Sequence, residues 1–137
     1  MIKGNFFKTF KYFCSNYKLD INRYLKEVDT ALNNISDILE QKELQITENI
    51  VLSDGVLKIT FTGNKNYVLN IQRPNLQIWL SSPVSGPQRF EYDLNSSTWK
   101  NNRNGKELYK ILEEEINSLL KQNNSKEEVY FNHKINH

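Results

Sequence analysis

The sequence predicts an α+β fold: a two-layer α/β sandwich, with two helices packed on one face of an antiparallel sheet of about five to seven strands. Three observations predict it. Apolar residues recur at helical spacing in one segment near the start and another near the end. Between them lie short stretches of alternating apolar and polar residues, separated by Gly, Pro and Asn turns. Such strands bury only one sheet face, and both helices need burial, so the economical solution seats both helices on that face.

Residues 1–19 hold Lys3, Lys8, Lys11 and Lys18 without an acid, and Phe6, Phe10, Phe13 and Tyr17 fall at helical spacing. This is the pattern of an amphipathic organelle-targeting presequence cleaved near residues 14–20; the alternative is an unstructured tail. The first helix follows from about Asp20, a suitable N-cap, to about Gln41. Leu25, Val28, Leu32, Ile35 and Leu39 form its apolar stripe, and Asp29, Asn33, Asp37 and Glu40 gather along one flank. Strands are expected over Ile46–Leu52 and Val56–Thr62, joined by Ser53-Asp54-Gly55.

After the turn Gly63–Asn66, Tyr67, Leu69 and Ile71 point inward while Asn70 and Gln72 point out. Arg73-Pro74-Asn75 links to the next strand, because Pro fixes φ and removes a ladder donor. There Leu76, Ile78 and Leu80 face the core, and Gln77, Trp79 and Ser81 face away. Beyond a Pro/Gly loop over Ser82–Pro87, Phe90 and Tyr92 point in and Arg89 points out. A short strand around Trp99, expected to brace the sheet, leads through Asn104-Gly105 to the second helix, about Lys106–Gln122. Leu108, Ile111, Leu112, Ile116, Leu119 and Leu120 form its stripe, with Glu113, Glu114 and Glu115 read as its exposed side. Residues 123–137 are a polar tail in which Val129-Tyr130-Phe131 is the piece expected to dock.

Composition narrows the function. A chain of 137 residues with 38% hydrophobic content fits one folded domain, and no apolar run is long enough to span a bilayer, so no membrane role is expected. The single Cys14 excludes an intramolecular disulfide, and no Cys/His spacing suits structural zinc. The net charge of +2 divides into +4 over residues 1–19, −5 over 20–54, +5 over 55–111 and −2 over the remainder. No catalytic triad, phosphate-binding loop or dinucleotide fingerprint is present, so an enzyme is not expected.

One sheet face then carries Asn70, Gln72, Gln77, Trp79 and Arg89. Leaving a Trp outside a core forfeits roughly 1.5–3 kcal/mol of burial. A Trp among amides and an Arg, the residue types enriched at interface hot spots, reads as a binding face for a protein partner. A nucleic-acid partner is not expected, because one exposed aromatic makes a poor stacking platform.

The stretch YVLNIQRPNLQIWLSSPVSGPQRFEYD, followed by Trp99 and a final amphipathic helix, resembles the frataxin family of the eukaryotic mitochondrial type. Asn70, Gln72, Pro74, Asn75, Gln77, Ile78, Trp79, Leu80, Ser82, Gly86 and Arg89 fall in register with its signature, as does Asp54-Gly55-Val56-Leu57. The resemblance covers about residues 20–122. It implies a mitochondrial or mitochondrion-derived setting and a role in iron–sulfur cluster assembly, through a complex of cysteine desulfurase and scaffold protein. It implies that Asn70, Gln72, Gln77, Trp79 and Arg89 contact the scaffold, and that the chain promotes sulfur transfer; a monomer is expected. The alternative it carries is an iron chaperone or ferroxidase delivering Fe²⁺.

Weak Fe²⁺ binding is implied for an acidic ridge, mapped here onto Asp29, Asp37, Glu40, Glu43, Glu48 and Asp54. That ridge is thin, since Asn33 and Ser36 stand where the family commonly has carboxylates. Ile71 and Leu76 likewise replace residues that are often basic. By default, acids along a helix are simply a solvated face. His133 and His137 lie in the tail and are expected to be solvated rather than ligating.

Overall fold

The Asp20 carboxylate accepts a hydrogen bond from Arg23 N at 2.8 Å, and this cap starts the first helix, α1, at Ile21–Lys42. A computed structural model describes residues 19–131 of the chain. Six strands follow: β1 (Thr47–Ser53), β2 (Val56–Phe61), β3 (Lys65–Gln72), β4 (Gln77–Ser82), β5 (Gly86–Asp93) and β6 (Thr98–Asn101). The second helix, α2, spans Leu108–Gln122. The strands pair antiparallel in strict chain order, β1-β2-β3-β4-β5-β6, forming one open sheet. Both helices cover one face, so the expected two-layer sandwich is the observed architecture.

Alternation sorts the strands as expected. Leu57, Ile59, Phe61, Tyr67, Leu69, Ile78, Leu80 and Phe90 are buried beneath the helices. From α1 come Val28, Leu32, Ile35 and Leu39; from α2 come Leu108, Ile111, Leu112, Ile116, Leu119 and Leu120. Trp99 braces the sheet end, edge-on to Tyr24 at 6.0 Å and to Tyr92 at 5.2 Å between ring centroids.

Several expectations are corrected. Leu25 is only half-buried, and the stripe of α1 instead begins at the buried Tyr24, with Ala31 also buried. Only its first member changes, because the Tyr24 ring packs on Trp99 while its hydroxyl meets backbone partners; Val28, Leu32, Ile35 and Leu39 hold as expected. Leu76 is not an inward strand residue. It ends the 3₁₀ turn Arg73–Asn75 in the left-handed region, φ 52°, and only partly reaches the core. The turn after β2 is shorter than expected, since left-handed Gly63 and Asn64 let pairing resume at Lys65.

The three glutamates of α2 are not one exposed side. Glu113 is buried and accepts a hydrogen bond from Phe131 N at 2.7 Å. Glu115 accepts hydrogen bonds from Tyr67 (2.9 Å), Ser82 (2.5 Å) and Ser85 (2.6 Å), so only Glu114 is fully exposed. Beyond α2 the tail docks where expected. Val129 and Phe131 are completely buried, and Asn117 both donates to Val129 O and accepts from Val129 N.

Candidate functional site

The sheet face turned away from the helices carries the candidate site, and strand register brings its residues together. Asn70 pairs with Trp79 and Trp79 with Arg89, so the three lie in one row across β3, β4 and β5. Val56 of β2 extends this row on the far side of Asn70. A second row, Gln72, Gln77, Glu91 and Lys100, runs beside it. All five sheet residues singled out from the sequence therefore fall within two adjacent rows.

The side chains form a chain of contacts. The Arg89 guanidinium lies over the Trp79 ring, 4.6 Å from its centroid, in cation–π geometry. The indole Nε1 of Trp79 donates to Gln77 Oε1 at 2.8 Å, and Gln77 Nε2 donates to Glu91 Oε2 at 2.9 Å. On the neighbouring strand, Gln72 Nε2 donates to Asn70 Oδ1 at 3.4 Å. The indole is held from its N–H edge and capped by a cation on its face.

Gln77 points to this face as expected but is only 6% exposed, because Trp79 and Glu91 close over it. It orients the indole more than it presents itself to a partner. Trp79 is half-buried and Arg89 exposed. Arg89 makes no ion pair among the described residues, so its charge remains available to an incoming group.

Behind this face the Tyr24 hydroxyl inserts between the ends of β3 and β4. It accepts from Gln72 N at 3.0 Å and donates to Gln77 O at 2.5 Å. Burial pushes its pKa up, with the hydrogen bond from Gln72 and the charge of Arg73 acting in the opposite direction. A helix residue thus holds the backbone of both glutamines.

Two members of the site were missed from the sequence. Glu91 lies two residues beyond Arg89 on the same strand, so the alternation that found Arg89 also places Glu91 outward. Tyr24 had a signal only in its helical position; its bridging role needs the three-dimensional fold.

The carboxylates behave differently. Asp29, Asp37 and Glu40 are exposed on α1, and Glu43 caps that helix in the left-handed region. Glu48 is exposed on β1, and Asp54 sits in the β1–β2 turn with φ 52°. Asn33 Nδ2 donates to Asp29 Oδ1 at 3.0 Å, filling a position where a further acid would have added charge. Among the described residues, no group of three or more His, Cys, Asp or Glu side chains is gathered so as to hold a metal ion. Nor is any described helix long and apolar enough to cross a membrane. The expected presequence, Cys14, His133 and His137 lie outside the described residues.

Residues 17–122 match the family model described as a frataxin-like domain. Mitochondrial frataxin of Dictyostelium discoideum is 42% identical over 105 residues, covering 74% of this chain and 54% of that protein. The mitochondrial frataxin homolog of Saccharomyces cerevisiae is 38% identical over 105 residues, covering 74% of this chain and 59% of the homolog. The chain thus spans between half and three fifths of the length of these two relatives. Among solved structures, trimeric yeast frataxin complexed with ferrous iron superposes with a TM-score of 0.62 at 39% identity, covering 69% of this chain and 86% of that one. Frataxin from Psychromonas ingrahamii superposes with a TM-score of 0.68, covering 83% and 99% of the two chains; at 21% identity it speaks for the fold alone.

Proposed function

The chain belongs to the frataxin family, of the mitochondrial type, whose setting is iron–sulfur cluster biogenesis and iron homeostasis, and on that premise we propose that it is an assembly factor acting through its open sheet face. The face docks on a complex of cysteine desulfurase and scaffold protein and promotes sulfur transfer to the scaffold. The observation that carries this reading is the row Asn70–Trp79–Arg89, in which a guanidinium without an ion pair among the described residues lies over a half-buried indole. Trp and Arg at the centre of a flat polar surface are the composition of an interface hot spot. Gln77 and Glu91 hold the indole in place, which lowers the ordering cost on docking. Against a reactive cysteine of the scaffold, Arg89 supplies positive charge that favours thiolate or persulfide over the protonated form.

Iron is cargo in this reading, held weakly by the surface carboxylates Asp29, Asp37, Glu40, Glu43, Glu48 and Asp54. Their dispersal among the described residues favours docking over iron delivery as the principal activity. The frataxin-like domain is proposed to span residues 20–122, with the docked Val129 and Phe131 completing its core, and to act as a monomer; the yeast relative was solved as a trimer, so sedimentation velocity is the check.

The test is a desulfurase–scaffold sulfur-transfer assay run without added iron, with binding measured in parallel. Trp79→Ala and Arg89→Ala are each expected to weaken binding at least tenfold and to lower stimulation. Asp37→Asn with Glu40→Gln is expected to change neither. Full stimulation by both sheet variants, or stimulation that requires iron and the two carboxylates, would refute the docking reading.

A further inference from the structure

An open groove of about 830 Å³ runs from Trp79 and Arg89 past the start of β5 to the turn after β6 and the flank of α2. It exists because β6 reaches only to Asn101, opposite Phe90, so that β5 before Arg89 has no ladder partner on that side. Three cations line it: Arg89, Arg103 and Lys106. None makes an ion pair among the described residues. Asn102 N donates to Arg89 O at 3.0 Å, which brings the turn carrying Arg103 and Lys106 against the Trp79–Arg89 row.

The turn is built before any ligand arrives. Buried Asn101 accepts from Arg103 N at 2.8 Å and Asn104 N at 3.3 Å, and donates to Gln88 at 3.1 Å. Asn104 in turn accepts from Lys106 N at 2.9 Å. The cations are therefore mounted on an ordered backbone, and binding need fix little beyond their side chains. Two carboxylates complete the charged lining, both at the α2 end. Glu115 is engaged by Tyr67, Ser82 and Ser85, and Glu114 is exposed.

Like charges around one groove repel one another until opposite charge arrives. A single phosphate ion would fill little of the volume. A polynucleotide would meet Glu114 and a single aromatic, the half-buried Trp79, short of a stacking platform. Alternating carboxylates and an apolar side chain match the lining better: guanidinium forks take carboxylates, and the indole takes the apolar group. We propose that this groove receives an extended acidic segment of the partner protein, with its carboxylates on Arg89, Arg103 and Lys106 and an apolar side chain against Trp79. The inference rests on the docking reading above and adds the chemistry of one part of the partner.

The experiment titrates the full ¹⁵N-labelled chain with a synthetic peptide of four glutamates around a central leucine. Inorganic phosphate and a thymidine oligonucleotide serve as competing probes. Saturable shifts at the amides of residues 102–106 and at the Trp79 indole are expected, weakening as salt is raised. R103E/K106E, two exposed substitutions whose thermal melting is expected to match the parent, should weaken the peptide at least tenfold. Absence of saturable shifts, undiminished binding by R103E/K106E, or equal response to phosphate or oligonucleotide would overturn the proposal. A pull-down with the desulfurase–scaffold complex separates the two readings. Equal capture of parent and R103E/K106E overturns the groove while leaving docking intact, whereas no capture of the parent removes docking itself.

Discussion

Tyr24→Phe isolates the link between the helix layer and the docking face. The substitution keeps the ring and its packing on Trp99 and removes a single oxygen atom. Only the hydroxyl goes, and with it one hydrogen bond accepted from Gln72 N and one donated to Gln77 O. Each backbone group left without a partner away from water costs about 1–3 kcal/mol. If the gap between β3 and β4 stays open, the loss is about 2–6 kcal/mol; if the strands close into a direct ladder bond, it falls to about 1 kcal/mol. Urea denaturation measures it: with a slope of about 1.5 kcal/mol per molar, a loss of 2 kcal/mol moves the midpoint by roughly 1.3 M. The same variant should shift the Trp79 indole resonance, because Gln77 both takes the Tyr24 bond and holds the indole. A change below about 0.5 kcal/mol together with an unmoved indole signal would refute the bridge.

Further predictions concern stability. Burial, with the Glu115 charge and hydrogen bond adding to it, raises the pKa of Tyr67 well above the ordinary tyrosine value. The unfolded chain therefore releases this proton first as pH rises. Stability is fully present below about pH 10 and falls above it by up to about 1.4 kcal/mol per pH unit for this group. Tyr67→Phe should make the alkaline slope shallower by that amount in denaturation curves taken between about pH 10 and 11.5, and an unchanged slope would sink the assignment. Gly55→Ala should destabilise by about 1–3 kcal/mol in thermal melts. Gly55 has φ +75°, and an added Cβ would lie 2.5 Å from Ile71 Cγ2. A variant as stable as the parent would show that the β1–β2 turn has room to shift.

How legible the site was depended on which physical variable each residue needed. The outward direction of Asn70, Gln72, Trp79 and Arg89 follows from the two-residue period of a strand, which needs no knowledge of partners. Gln77 obeys the same period yet is buried, because depth depends on Trp79 and Glu91 arriving from along and across the sheet. Leu76 was misread because Arg73-Pro74-Asn75 announces a turn without saying that a left-handed residue must finish it. On α2, three consecutive glutamates span about 200° of helix surface, so they could not share one exposed side. Glu113 and Glu115 turn instead toward the docked tail and the β4–β5 loop. The fold class survived these errors because it rests on the periodicity of whole segments. The groove was not legible, since it depends on where β6 stops.

The strict chain order of the sheet has a consequence for how the molecule closes. Every strand contact joins sequence neighbours, so each hairpin can form without waiting for distant residues. The two ends of the core are the exception: Asn34 on α1 donates to the Phe131 carbonyl 97 positions away. A chain emerging from a ribosome or an import channel in N-to-C order can pair all six strands before the residues that seal the gap between the helices arrive. Completion of the core is thereby tied to the arrival of Val129 and Phe131, and pulse-labelling hydrogen exchange should find the sheet amides protected before theirs.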